Sequence, residues 1–187
     1  MATTLKQNEA IPAARPEVNP YDHWEDSGVD GFGVATVNTE AVWQRLEAWI
    51  AYRWGEREVV WIVEGGGEWE APLCPATVVT VEVWRDDAWV ETTLTVGPLG
   101  GLNMTDGDTY RVTASVGSAE VPPEAVKEAF RRLHELSRGI AEQFKDEAAY
   151  YGGEGGRVAA FAAKAIGLSG AADLLKPYRR VGNVAVS

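Results

Sequence analysis

The hydrophobic period of this chain switches along its length, and each switch marks a predicted element. From Asn38 or Thr39, either of which can cap a helix, the apolar residues Val42, Leu46, Trp49, Ile50 and Trp54 recur at steps of three and four. That spacing predicts a helix over 39–54, with Gly55 as its C-terminal stop. The period then becomes two. Segments 58–63, 77–84, 89–96 and 109–116 are rich in Val, Thr and Trp and read as strands, with Arg85-Asp86-Asp87-Ala88 and Thr105-Asp106-Gly107-Asp108 as turns. A small antiparallel sheet or sandwich is expected.

Val121-Pro122-Pro123 opens the longest predicted helix, because a proline loses nothing where the first-turn N–H has no partner, and Glu124 suits the positive helix end. Its stripe runs Val126, Phe130, Leu133, Ser137, Ile140, Phe144, and the small residues Ser137 and Gly139 suggest that another backbone comes close. Tyr150 to Gly156 breaks the helix, an Ala-rich helix follows from Arg157 to Ile166, and Ser169 caps a short turn through Leu175 that Pro177 ends. Residues 1–37 carry Pro12, Pro16 and Pro20 and three glycines without a sustained apolar period, and read as an arm with no core of its own. Tyr21, His23 and Trp24 interrupt that arm with aromatics that favour docking on a neighbour. The predicted class is α+β, a helical core of front, long and C-terminal helices with an inserted small antiparallel β region. The predicted organisation is an arm at 1–37, one domain at 38–180 (helix 39–54, β region 58–116, helical part 122–176) and a tail at 181–187.

Charge changes the picture of partners. The net charge of −11 divides into −12 over residues 1–115 and +1 over residues 116–187. Phosphate backbones are held by clustered Lys and Arg, so this balance argues against sequence-specific DNA binding, while allowing a surface that DNA slides past. No apolar run approaches the roughly 18–20 residues of a membrane span, and residues 1–14 lack the apolar stretch of a secretory signal. The single cysteine, Cys74, excludes an internal disulfide and fits synthesis in a reducing cytoplasm.

Candidate chemistry is sparse. His23 and His134 have no His or Cys at ligand spacing, and Cys74 has no basic neighbour in sequence to lower its pKa. Gly167-Leu168-Ser169-Gly170 lacks the spacing of a nucleophile elbow, and the glycine-rich runs at 64–68 and 152–156 carry carboxylates where a P-loop needs Lys and Ser or Thr. Asp106-Gly107-Asp108 falls far short of a calcium cage. No catalytic residue, metal site or cofactor is predicted. Trp61, Trp69, Trp84 and Trp89 lie in or beside strands, where aromatics more often fill a core or a subunit contact than a sugar-stacking face.

Two local patterns carry a resemblance: Val121-Pro122-Pro123-Glu124-Ala125-Val126-Lys127-Glu128-Ala129 after the last strand, and the closing Leu174-Leu175-Lys176-Pro177-Tyr178-Arg179-Arg180. In this order, behind a front helix and an inserted β region, they make the chain resemble the head-to-tail adaptor (connector) proteins of long-tailed bacteriophages and gene transfer agents over roughly residues 38–182. The resemblance implies a structural virion protein with no enzymatic activity, located in the neck and assembled in the host cytoplasm. It implies a homo-oligomeric ring, usually of twelve copies, between the portal protein and a stopper or tail-terminator protein, through which genomic DNA passes. It assigns portal docking to Leu174, Leu175, Lys176, Tyr178, Arg179 and Arg180. It offers Asp86, Asp87, Asp106 and Asp108 as channel-facing acids that would hold DNA off the wall, and Tyr21, Trp24, Phe130, Ser137 and Gly139 as subunit contacts. The chain departs from the family in its longer arm and in the Gly-rich break with helix 157–166. The alternative is a non-enzymatic β-rich virion or tail module whose tryptophans bind carbohydrate or protein. A small hydrolase ranks third, because no nucleophile, base and orienting group assemble from these residues.

Overall fold

The computed structural model describes residues 2–21, 37–151 and 164–179. Among the described residues the chain forms a five-stranded antiparallel sheet, a two-stranded ribbon and four α-helices, so the β part is no small insertion. The expectation of a helical core with a small β insertion is therefore corrected. Strands that no apolar period announced enlarge the β part, and the chain divides into two compact units, residues 1–15 with 51–120 and residues 16–50 with 121–187.

The first unit holds β1 (Thr3–Glu9), β2 (Arg57–Glu64), β3 (Gly67–Trp69), β4 (Ala76–Arg85), β5 (Ala88–Glu91), β6 (Leu102–Met104) and β7 (Thr109–Val116). The five-stranded sheet runs β1-β2-β7-β4-β5, and β3 pairs with β6 as a separate ribbon. Period two does its work in the middle of the sheet. Val59, Trp61 and Val63 of β2 and Tyr110, Val112, Ala114 and Val116 of β7 all point to one buried face, joined by Val81 and Val83 of β4. Trp69, Leu73 and Met104 complete that core, with Trp61 and Trp69 edge to face at 5.4 Å. Each such fully buried side chain contributes about 1.5–3 kcal/mol.

β1 is not legible as a strand because none of its residues is buried and those that meet the neighbouring tryptophans are polar. Gln7 lies opposite Trp61 and accepts its indole N–H at 2.9 Å, and Thr4 accepts the Trp69 indole N–H at 2.9 Å. The strand expected at 89–96 splits. After β5 the Thr92 N–H still donates to Val81 at 2.8 Å, and the chain then leaves β4 for the ribbon, where Asn103 N–H donates to Thr95 at 2.9 Å and Val96 bridges Leu102.

In the second unit α1 (Thr39–Trp49) begins at Asn38, whose Oδ1 accepts the N–H groups of Glu40 and Ala41 at 3.0 and 3.3 Å. The helix is shorter than the expected 39–54. Ile50 is extended, and Tyr52 and Trp54 bridge Cys74 and Ser118 in the first unit, so Trp54 serves that unit and Gly55 turns the chain into β2. The long helix α2 (Glu124–Tyr151) starts as expected, with the Pro123 carbonyl accepting Val126 and Lys127 N–H at 2.9 and 3.1 Å. It buries Val126, Ala129, Phe130 and Leu133, and Trp43 of α1 meets Phe130 with ring centroids 5.0 Å apart. Two short helices, α3 (Ala165–Leu168) and α4 (Ala171–Leu174), and a 3-10 turn at Lys176–Tyr178 follow. The N-cap of α4 is Gly170, in the left-handed region, and not the expected Ser169, whose Oγ accepts the Ala171 N–H at 3.3 Å from one residue earlier. Both short helices pack on α2. Trp24, His23, the Gly152–Gly156 break, residues 157–163, Arg180 and the tail at 181–187 lie outside the described residues.

Candidate functional site

The C-terminal turn is assembled by its own apolar residues. Leu175 is fully buried in the helical unit and Leu174 half-buried, which fixes the following turn and leaves Lys176 and Arg179 exposed, with Tyr178 between those extremes. The Arg179 guanidinium sits 4.6 Å from the ring centroid of Trp49, an arrangement in which a cation and an aromatic face attract by about 0.5–1 kcal/mol at exposed sites. Of the expected docking residues, Leu175 is a core residue that positions the others, and Lys176, Tyr178 and Arg179 form the accessible basic and aromatic surface. Among the described residues of the turn, Lys176 and Arg179 are the exposed cations.

The four acids proposed from the turns come together at one end of the sheet. Asp86 and Asp87 are the two residues of the β4–β5 hairpin, both at positive φ (49° and 59°), which suits a tight two-residue turn and which Asp tolerates better than most. Antiparallel pairing of β4 with β7 brings this turn beside Asp106 and Asp108, and the Arg85 guanidinium reaches Asp108 at 3.2 Å. Asp108 also accepts the Tyr110 hydroxyl at 3.3 Å. Asp86, Asp87 and Asp106 are exposed, so the end of the sheet is acidic with one member partly neutralised.

The expected subunit contacts are placed differently from one another. The Tyr21 hydroxyl donates to Glu128 at 2.7 Å, and Arg132 Nε donates to the same carboxylate at 2.8 Å. The tyrosine bond, with the arginine behind it, holds the Glu128 carboxyl below its usual 4.5, and the same bond raises the Tyr21 hydroxyl above 10.0. Phe130 is buried under Trp43 and stacks on His134, so it is committed to its own unit. Ser137 is half-buried and bonds back to the Leu133 carbonyl at 2.7 Å. At Gly139 a Cβ would meet no described atom within 4 Å, so no described backbone requires glycine there.

The tryptophans divide by face. Trp61 and Trp69 fill the core, and Trp84 and Trp89 pair across β4 and β5 on the opposite face with centroids 5.1 Å apart. Beside them Arg111 makes a two-pronged bond to Glu82 at 2.5 Å for each prong, and its guanidinium covers Trp89 at 4.8 Å. The arginine bond draws the Glu82 carboxyl below its usual 4.5. Trp84 remains 43% exposed.

Two polar assemblies were missed in the sequence. At the end of β1, Glu9 accepts Arg53 Nε and Arg57 Nη1, both at 2.8 Å, while Arg57 also donates to the carbonyls of Trp54 and Gly55 at 2.8 and 3.1 Å. In the β5–β6 loop, Glu68 Oε1 accepts the N–H groups of Leu99 and Gly101 at 2.9 and 2.8 Å, and a Cβ on Gly101 would lie 2.5 Å from the Trp69 carbonyl. That loop thereby holds Val96 and Leu99 out in solvent. Single charged residues in short polar stretches give no periodic signal. Cys74 is half-buried and its N–H donates to Ala51 at 3.0 Å. Among the described residues no three His, Cys, Asp or Glu converge as a metal set, and no helix is long and apolar enough to cross a membrane. No family model, curated protein or solved structure matches the chain.

Proposed function

We propose that the chain is a non-catalytic virion subunit, a head-to-tail adaptor that forms a ring between the portal and a stopper or tail-terminator protein and continues the DNA channel. The observation that carries the reading is the closing turn. Leu175 anchors it in the helical unit, and it offers Lys176, Tyr178 and Arg179 as a compact basic and aromatic surface of the kind that docks on a partner. Support also comes from the order of elements, in which α1 and α2 belong to one helical unit and the β strands from β2 to β7 are inserted between them. The acidic sheet end suits a channel wall that DNA passes without adhering.

The test is binding to immobilised portal from the particle that encodes this chain. The full chain should bind, and Lys176→Ala with Arg179→Ala should weaken binding tenfold or more, as should truncation after Leu175, which leaves the buried anchor in place. A full chain that ignores the portal overturns the proposal. A second reading, a non-enzymatic β-rich module that binds carbohydrate or protein, is favoured by one observation, the exposed Trp84 beside Trp89 and Arg111. Saccharide-dependent quenching of tryptophan fluorescence that vanishes in Trp84→Ala would support it.

A further inference from the structure

At one edge of the five-stranded sheet, β5 is much shorter than the β4 it pairs with. β5 pairs with β4 only from Glu82 to Arg85, and once the chain leaves for the ribbon after Thr92, no described strand covers Ala76 to Thr80 on that side. This open run is Ala-Thr-Val-Val-Thr, with no charge and high β-propensity, the composition of a strand edge that invites pairing. β1 is the opposite edge, with β2 its only described neighbour in the sheet.

Each edge also carries a bulge occupied by an apolar residue. Leu5 is the extra residue between Thr4 and Lys6 where β1 pairs with β2, and it is 59% exposed. Val79 is the extra residue between Val78 and Thr80 where β4 pairs with β7, and it is 65% exposed. Beside the twist that a bulge itself adds, edges are commonly blunted by outward charge or proline. These two turn out leucine and valine.

We infer that the open edge of β4 is the docking site for β1 of a second copy of this chain, so that sheets join head to tail. The choice of occupant rests on the ring reading above and on direction. β1 runs with β7 and against β4, because each neighbouring pair in the order β1-β2-β7-β4 is antiparallel. Rotation about an axis along the strands preserves strand direction, so the β1 of the next copy arrives antiparallel to β4, the orientation that short ladders favour. Its seven residues are long enough to cover the five open positions. An interface of two different edges is heterologous and closes into a ring when the rotation allows.

The experiment is sedimentation of the full chain across concentration, with Leu5→Lys, Val79→Lys and the loop control Val96→Lys, each first shown to keep the wild-type circular dichroism. A patch this small predicts weak self-association, with Kd between about 10 μM and about 1 mM. Leu5→Lys and Val79→Lys should each abolish it, and Val96→Lys should not. Mixed in equal amounts, the two dead variants should form 1:1 dimers and nothing larger, because each supplies the edge the other has lost. A wild-type chain that stays monomeric to about 1 mM overturns the inference. So does loss of association in Val79→Lys alone, which would mean β4 pairing with β4. Portal binding without edge pairing removes this inference and leaves the adaptor proposal standing, whereas edge pairing without portal binding does the reverse.

Discussion

Removing one charge at Glu9 should release β1 from the sheet. The carboxylate is the shared acceptor of Arg53 and Arg57, and the side chains are 23%, 9% and 2% exposed respectively. Glu9→Gln keeps the shape but removes the negative charge, so two nearly buried guanidiniums lose the carboxylate they share. Breaking a fully buried pair costs about 3–5 kcal/mol. Glu9 is partly wetted, and glutamine retains one acceptor oxygen, so about 2–3 kcal/mol is expected here. For a chain of this length that lowers the melting temperature by about 5–10 °C. The loss should be local first, because β1 is an edge held by Glu9, by Gln7 and Thr4 on the two indoles, and by one ladder. Hydrogen exchange of the amides from Thr3 to Glu9 should therefore accelerate in Glu9→Gln before that of β7 does. A control at exposed Glu58, the neighbour of Arg57 on β2, should stay within about 0.5 kcal/mol. If Glu9→Gln melts with the wild type, or if β7 loses protection as early as β1, the assignment of Glu9 as the clamp of this edge is wrong.

Other outcomes follow from the same contacts. The Glu82 carboxyl is held below 4.5 by Arg111, so its contribution is present above about pH 4.5 and is lost as pH falls through the lowered value; acid melts of wild type and Glu82→Gln should converge below that point, and a constant gap between them would contradict it. Trp61→Phe removes the bond to Gln7 and leaves a void in a fully buried site, and should cost about 2–4 kcal/mol in urea unfolding. Glu68→Ala should expose the amides of Leu99 and Gly101 to rapid exchange and cost about 1–2 kcal/mol, while amide protection in β2 stays unchanged. If the chain is the proposed adaptor, neutralising Asp86, Asp87, Asp106 and Asp108 to Asn should slow DNA ejection from assembled particles, and unchanged ejection kinetics would remove the channel-wall role.

What the sequence made legible were the elements with an uninterrupted period. β2, β7 and the stretch of β4 around Val81 and Val83 alternate cleanly because one face is core and the other is not, and α1 and α2 are announced by Asn38 and by Pro122-Pro123. The errors have physical causes. β1 buries none of its residues and meets the sheet through polar side chains that end on indole N–H groups and guanidiniums, so its pattern reads as an arm. β3 and β6 are three residues each, too short to show any period. Trp54 continued the helical spacing of α1 by coincidence, since Ile50 had already turned extended and the aromatic belongs to the other unit. These omissions shrank the β part on paper and made the helices look like the core. The closing turn was readable as Leu-Leu-Lys-Pro-Tyr-Arg, but the sequence did not distinguish Leu175 as anchor from Lys176 and Arg179 as surface. Burial decides that.

The most direct measurement of the adaptor proposal is the native mass of portal mixed with an excess of this chain. The account predicts a saturated complex in which the added mass is a multiple of 20.3 kDa close to twelve per portal, with no intermediate favoured once the first copies have bound. A portal that keeps its own mass, or that takes up one or two copies and stops, contradicts it.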